Sequence, residues 1–419
     1  MLNFVLMLTY NILWALCLPF LFLRDYRKDR QQGLQGYSLE RLGFWGKLPE
    51  WSVWIHSVSL GETKVAVQWV QALKERGPYV ILCTTHTQSG RMTLEKAFNG
   101  HPQIAIKYLP YDFYPIVRCL LSRTKVKAIV LVETEIWPNW MIQWHRKKRK
   151  IFVLNGRISD RTYPRYLKGP KLLRSLFEKI SWVAAQSPQD AERFTALGAK
   201  EVTVTGNCKW DLVFPANTEE QSRNFQGCWG PRPVFMAAST HAGEEVMVIE
   251  VFKKLQLLIP NLLLLLVPRH PQRFGEVGTL LEQAGLDYSR RSQFPHKVLE
   301  TTGVVLGDSI NEMGAYYASA TVAFIGGSLV QVGGHNPIEP AYFGLPIVIG
   351  PYYYNFQAIV ETFVEQKALA IVQDPQGLYE QLAYLLQSQD RSMGYAARSL
   401  LAQHQGATQA AVDMIAPIL

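Results

Sequence analysis

Short apolar runs recur along this chain, each followed by a stretch with helical spacing, and the alternation runs its course twice. Residues 53–58, 79–83, 104–109, 128–132, 151–154, 182–185 and 202–204 read as strands, with amphipathic stretches such as 63–76 and 188–197 between them. A polar interruption at 215–231 (PANTEEQSRNFQGCWGP) has linker composition. The alternation then resumes with 234–238, 262–267, 304–306, 322–325 and 347–349. Strands separated by helices require crossover connections, which builds parallel sheets covered on both faces. At 419 residues the chain is long enough for two such units. The expected fold is therefore α/β, with two Rossmann-like, doubly wound domains.

Charge divides at the same place. The total of +9 hides 31 Lys/Arg against 16 Asp/Glu in residues 1–212, net +15, and 12 against 18 in residues 213–419, net −6. The first half is expected to meet an anionic partner. Residues 2–23 contain no charge and approach the length of a bilayer span, and the run Arg24-Asp25-Tyr26-Arg27-Lys28-Asp29-Arg30 follows at once. With no basic residue before the apolar run and no small-residue cleavage site after it, a retained anchor is expected over a cleaved signal, the remainder being cytoplasmic. Asn3, Asn11 and Pro19 leave an interfacial helix as the alternative. The five scattered cysteines have no metal spacing and fit a reducing compartment. The segment from His145 to Lys150, with Arg157, Arg161 and Arg165 nearby, is strongly basic and flanked by Trp137, Trp140 and Trp144. That combination suits an anionic membrane surface. No nucleic-acid module signature appears, so nucleic acid is not an expected partner.

Ligands of doubly wound sheets bind outside the carboxyl ends of strands, so motifs at those places carry the functional reading. The run GGHNPIEP (333–340) joins a glycine turn, Asn336 as N-cap, Pro337 at the first helical position and Glu339 one turn in. Free N–H groups there suit a phosphate, and Glu339 suits ribose hydroxyls. After 53–58 comes SLGE. Its Glu62, at a helix start, is expected to be ionised and either accepts a proton or merely complements the helix dipole. After 128–132, alternation places Glu133 and Glu135 on one face, where they would position a sugar or a cation. After 202–204, Lys209 would meet a donor's negative charge across the cleft between domains. After 262–267, Arg269 offers a planar fork for phosphate. No acidic D-x-D cluster is present to hold a metal beside a nucleotide diphosphate, and no metal cofactor is expected.

Taken together, SLGE (59–62), ETEIWPN (133–139), GNCKWD (206–211), PRHPQRF (268–274), GDSINEM (307–313) and GGHNPIEP (333–340) resemble the 3-deoxy-D-manno-octulosonic acid (Kdo) transferases of lipid A biosynthesis, over nearly the whole chain. The resemblance implies a GT-B architecture of two Rossmann-like domains facing a cleft. It divides the chain into an inner-membrane anchor at 1–23, single-pass with the catalytic part cytoplasmic, an acceptor domain at 24–214, a linker at 215–231 and a donor domain at 232–419. It implies transfer of Kdo from CMP-Kdo, with inversion, to a lipid A precursor. Carried over, Glu62 matches the proton acceptor, and Glu133 and Lys209 match transition-state stabilisers. The CMP site is matched by Arg269, His270, Ile310, Asn311, Glu312, Asn336, Pro337, Ile338 and Glu339. Asn311 departs from the family, which commonly has glycine there. The alternatives are a GT-B transferase or epimerase using a UDP-sugar, and a non-catalytic membrane-anchored lipid-binding protein.

Overall fold

The computed structural model describes residues 2–31, 37–46, 49–293, 298–299 and 301–419. Two seven-stranded sheets account for the alternation. The first contains β1 (Trp51–Ser57), β2 (Ile81–Thr85), β3 (Ile104–Tyr108), β4 (Val126–Val132), β5 (Lys150–Gly156), β6 (Trp182–Ala185) and β7 (Val202–Val204), in the order β3-β2-β1-β4-β5-β6-β7. The second contains β8 (Val234–Thr240), β9 (Leu263–Pro268), β10 (Tyr288–Arg290), β11 (Val304–Leu306), β12 (Val322–Ile325), β13 (Ile347–Ile349) and β14 (Ala370–Ile371), in the order β10-β11-β9-β8-β12-β13-β14. Every neighbouring pair is parallel. In each sheet the chain winds outward from one central strand and returns on its other side, which leaves a switch point between β1 and β4 and another between β8 and β12. Such points leave a crevice at the strands' carboxyl ends, where the flanking loops diverge. Edge strands β10 and β14 escape sequence reading because β10 (YSR) is polar and half-buried and β14 is only two residues long.

The first sheet is buried on both faces. Trp54 points to one side, where Trp140 and Trp144 meet it edge-on at 5.2 and 5.6 Å between ring centres. Val53 and Ile55 point to the other, where Trp69, Leu73, Ala411 and Val412 close the core. Trp140 and Trp144 are fully buried, so these two of the three tryptophans beside the basic segment are core and not a membrane interface, while Trp137 is half-buried. Their spacing of four residues along helix Pro138–Arg146 is that of a packed helix face.

The chain divides at different places from those expected. One compact unit is Met1–Asp211 with His404–Leu419, and the other is Leu212–Gln403. The C-terminal helix Ala407–Ile415 thus belongs with the first sheet, and Asp211 holds its start by accepting from the N–H of Gly406 at 2.6 Å and of Thr408 at 2.5 Å. The expected linker is largely a helix, Thr218–Trp229, whose Thr218, Ser222, Phe225 and Trp229 are buried along one face. Phe225 stacks on Tyr316 at 5.3 Å, and that packing outweighs a polar, glycine-containing composition.

The N-terminal helix Leu2–Gln31 is long and apolar enough to cross a membrane by length and composition, and it continues through the basic flank. Its polar residues are turned onto the first unit. The Tyr10 hydroxyl donates to Asp112 at 2.9 Å, Asn11 exchanges amide hydrogen bonds with Asn139 at 3.0 and 3.2 Å, and Asp25 accepts from the Tyr111 hydroxyl at 2.7 Å. These contacts span fifteen positions of the helix, about 22 Å at 1.5 Å per residue. The helix is docked along its side, with Phe4, Leu8, Ile12, Leu16 and Phe20 exposed on the opposite face.

Candidate active site

Glu62 sits where β1 gives way to helix Leu60–Arg76. Ser59 and Glu62 form a reciprocal capping box. The Glu62 carboxylate accepts from the Val58 N–H at 2.7 Å, the Ser59 hydroxyl at 2.6 Å and the Ser59 N–H at 3.2 Å. A carboxylate has about four acceptor positions, so about one remains open, on the oxygen that faces Val58. The residue thus caps its helix and leaves one acceptor position open. Its pKa differs from the expectation of a readily ionised group. Burial raises it, the hydrogen bonds from Ser59 and Val58 pull it back, and Glu133 raises it further.

Across the switch point, β4 stops at Val132 and Glu133 turns left-handed at φ 61°, so Glu133 and Glu135 do not share a strand face. Glu133 instead pairs with Lys209 at 2.9 Å, and Glu135 accepts from the Trp137 ring N–H at 3.1 Å. A left-handed glutamate costs about 1–3 kcal/mol and persists where the surroundings fix it; here its N–H donates to Leu154 in β5 at 2.8 Å. Burial, then the Glu62 charge, push the Glu135 carboxyl up to about 8. Glu62, Glu133, Glu135 and Lys209 thus form one coupled group drawn from three motifs.

The second switch point is built differently. Glu244, fully buried at the start of helix Glu244–Leu258, accepts from the backbone N–H groups of His241, Gly327, Ser328 and Leu329 at 2.6–2.9 Å. The glycine loop after β12 therefore spends these N–H groups on a carboxylate. Gly326 has no room for a Cβ, which would stand 2.6 Å from the Ser239 carbonyl oxygen. What remains for an anion is side chains. His241 lies 2.9 Å from His335, ring nitrogen to ring nitrogen, and its ring meets His270 edge-on at 5.2 Å. Arg269 is exposed beside them and makes no ion pair among the described residues. Burial, then His270, lower the His241 pKa.

His241 and Glu244 were missed by the sequence reading, although glycine followed by two acids at a helix start (HAGEE, 241–245) is a legible signal. In GGHNPIEP, Asn336 accepts from the Ile338 N–H at 3.1 Å in a turn just before the helix, but it is not the N-cap that the sequence suggests. The helix that follows is only Ile338–Tyr342, with Pro337 in the cap position, so the expected helix-dipole contribution is small. Ile310, Asn311 and Glu312 follow β11, the neighbour of β9 and hence of Arg269. Asn311 adopts φ 69°, a left-handed conformation that glycine takes freely and asparagine tolerates best among the rest, which accounts for its standing where glycine is common. Glu312 is held by Arg291 at 2.6 Å and by Ser309.

The same two-sheet arrangement recurs in the UDP-GlcNAc 2-epimerase of Neisseria meningitidis bound to UDP-GlcNAc, at 12% identity over 88% of this chain and 99% of that one, with a TM-score of 0.56. A glycotransferase of kitacinnamycin matches at 13% identity over 89% and 100%, with a TM-score of 0.53. The architecture is that of the GT-B glycosyltransferases. Residues 37–212 match the family described as 3-deoxy-D-manno-octulosonic-acid transferase. The transferase of that name from Haemophilus influenzae is 34% identical over 91% of both chains, and that of Bordetella pertussis 36% identical over 87% of this chain and 86% of its own. The chain belongs to the 3-deoxy-D-manno-octulosonic acid transferase family and is a glycosyltransferase of lipopolysaccharide synthesis. The UDP-sugar and lipid-binding alternatives are not favoured.

Proposed function

We propose that the enzyme moves Kdo from CMP-Kdo to a lipid A precursor with inversion, Glu62 serving as the base. The acceptor hydroxyl gives its proton to the open position on Glu62, its oxygen forms the new bond to the anomeric carbon, and the bond from that carbon to the phosphate oxygen breaks as CMP departs. Glu133 and Lys209 stabilise the transition state, and a positioned base contributes about 10²–10⁴ in rate. The observation that carries this reading is the meeting of Glu62, Glu133 and Lys209, from motifs far apart in sequence, at one switch point.

The donor is assigned to the unit Leu212–Gln403. Arg269 and the group of His241, His270 and His335 offer donors to the departing phosphate, while Ile310–Glu312 and Asn336–Glu339 contact the nucleotide. Arg269 supplies the positive charge and the imidazoles supply hydrogen-bond donors, without a metal. The N-terminal helix holds the enzyme on the cytoplasmic side of the inner membrane, supported by its exposed apolar face and by the basic balance of the first half. The test is full-length enzyme with CMP-Kdo and a lipid A precursor, products resolved by mass, with and without EDTA. Addition of Kdo in both arms is the expected result. Absence of product, or loss with EDTA that magnesium restores, overturns the donor reading.

A further inference from the structure

Asn155 lies outside the SLGE, ETEIWPN and GNCKWD motifs, fully buried one residue before the end of β5. Its backbone is left-handed at φ 58°. Glu133, the residue after the Val132–Leu154 pair in the register of β4 and β5, is left-handed at φ 61°. Two neighbouring strands thus leave the extended conformation at the same level, a strain that persists where contacts on both sides fix it. Those contacts converge on the end of β5. The Glu133 N–H donates to the Leu154 carbonyl at 2.8 Å, the Gln186 amide donates to the Asn155 carbonyl at 3.0 Å, and the Thr134 hydroxyl donates to the Arg157 carbonyl.

The Asn155 side chain reaches the loop after β7. Its Oδ1 accepts from the Cys208 N–H at 2.9 Å, and since only the amide oxygen can accept there, the orientation of the amide is fixed. Cys208 is fully buried and opens the turn Cys208–Trp210; the next N–H, that of Lys209, donates to Asn207 Oδ1 at 3.0 Å. The Lys209 ammonium then meets Glu133 at 2.9 Å. These bonds close a ring from Glu133 to Leu154, from Asn155 to Cys208 and from Lys209 back to Glu133, all within the first unit. One peptide step of β5 therefore fixes the backbones of both partners, which narrows what the flexible four-carbon stem of a lysine can sample. The Asn155 Nδ2 is buried without a hydrogen-bond partner among the described residues, which costs stability. Glycine would take the left-handed backbone without that cost, so what asparagine adds is the acceptor for Cys208.

We propose that Asn155 is a positioning residue of this enzyme, holding the turn that carries Lys209 at the distance from Glu133 at which the two act together. This rests on the reading of Glu133 and Lys209 as transition-state stabilisers and names the residue that sets their spacing. Asn155 acts through the Cys208 backbone and not on the substrate.

The test uses full-length variants and two readouts. Asn155→Gly keeps the backbone conformation and loses the acceptor, whereas Asn155→Asp keeps an oxygen acceptor and tolerates the left-handed region. Thr203→Val removes the bond from the Trp182 ring N–H between β6 and β7 and controls for one lost hydrogen bond in the same sheet. Limited acetylation with acetic anhydride, resolved by peptide mass spectrometry, reads the pairing of Lys209 without substrates. Turnover with CMP-Kdo and a lipid A precursor reads kcat and both KM values. In Asn155→Gly, acetylation of Lys209 should rise severalfold and kcat should fall about tenfold, with both KM values within about twofold of the parent. Asn155→Asp should restore the protection of Lys209 and most of kcat, and Thr203→Val should leave both readouts at the parental level. Parental acetylation in Asn155→Gly overturns the inference, as does failure of Asn155→Asp to restore protection or an equal loss of kcat in Thr203→Val. Raised acetylation with parental kcat leaves Asn155 holding the pair and removes Glu133 and Lys209 from the transition state.

Discussion

At the ends of β1 and β4, carboxylates are left within electrostatic reach of one another; hydrogen bonds partly relieve Glu62 and Glu135, and among the described residues Glu133 alone of the three is paired with a cation, Lys209. At the ends of β8 and β12, a carboxylate is buried outright and matched by four backbone N–H groups, leaving histidines and an arginine outward. The topology is the same in both units. One switch point keeps negative charge destabilised, as the proposed base requires; the other spends its negative charge on building a loop and leaves side-chain donors outward. The difference shows that a doubly wound sheet supplies a location, and that side chains at the strand ends decide which half of a reaction is served there.

The largest break in this contrast comes from Glu62→Gln, whose one oxygen can keep the capping box to Ser59 but not the bond from the Val58 N–H as well, and which cannot take a proton. Turnover should fall by about 10²–10⁴ with CMP affinity preserved. Near-parental turnover in the purified variant removes Glu62 from the role. Glu244→Gln attacks the other side. One remaining oxygen cannot serve four N–H groups, and each left unpaired costs about 1–3 kcal/mol. Hydrogen exchange should show loosening confined to Leu212–Gln403, with weaker nucleotide binding; exchange raised equally in both units would mean that the carboxylate does not organise the donor loop. Arg269→Ala should weaken CMP binding by about 1.5–3 kcal/mol, as for a hydrogen bond to a charged group, and unchanged calorimetric affinity refutes the phosphate contact.

The smallest effect sharpens the comparison through pH. The Glu135 carboxyl, at about 8 when folded, binds a proton more tightly than in the unfolded chain. Stability it supports is complete below the ordinary carboxylate range and declines as pH rises toward about 8. Glu135→Gln should therefore match the parent in acid and exceed it near pH 8 in melting temperature. Parallel melting curves across that window would show that the acidic group is not strained.

What the sequence disclosed follows from the range of the forces involved. The capping box at Ser59 and Glu62 is local, so spacing alone reveals it. Twelve strands were legible because buried parallel strands are nearly continuous apolar runs. Glu244 is legible only as a helix-start acid; its wider role is not, because three of the four N–H groups it serves lie some eighty positions later. Trp140 and Trp144 misled for a related reason: tryptophan beside lysine and arginine reads alike whether the rings face lipid or, as here, Trp54. The N-terminal run declared its hydrophobicity, but the partners of Tyr10 and Asn11, Asp112 and Asn139, are more than a hundred residues away.

The helix Ala407–Ile415 completes the core behind β1, yet it is translated only after the whole of Leu212–Gln403. On the ribosome the unit that begins first is therefore sealed last. Trp69 and Leu73 wait with an open face while the intervening unit, whose sequence is already entire, closes around its own sheet. A nascent chain released before residue 407 would carry a finished second unit and an unfinished first one, exposing apolar surface that chaperones and proteases recognise.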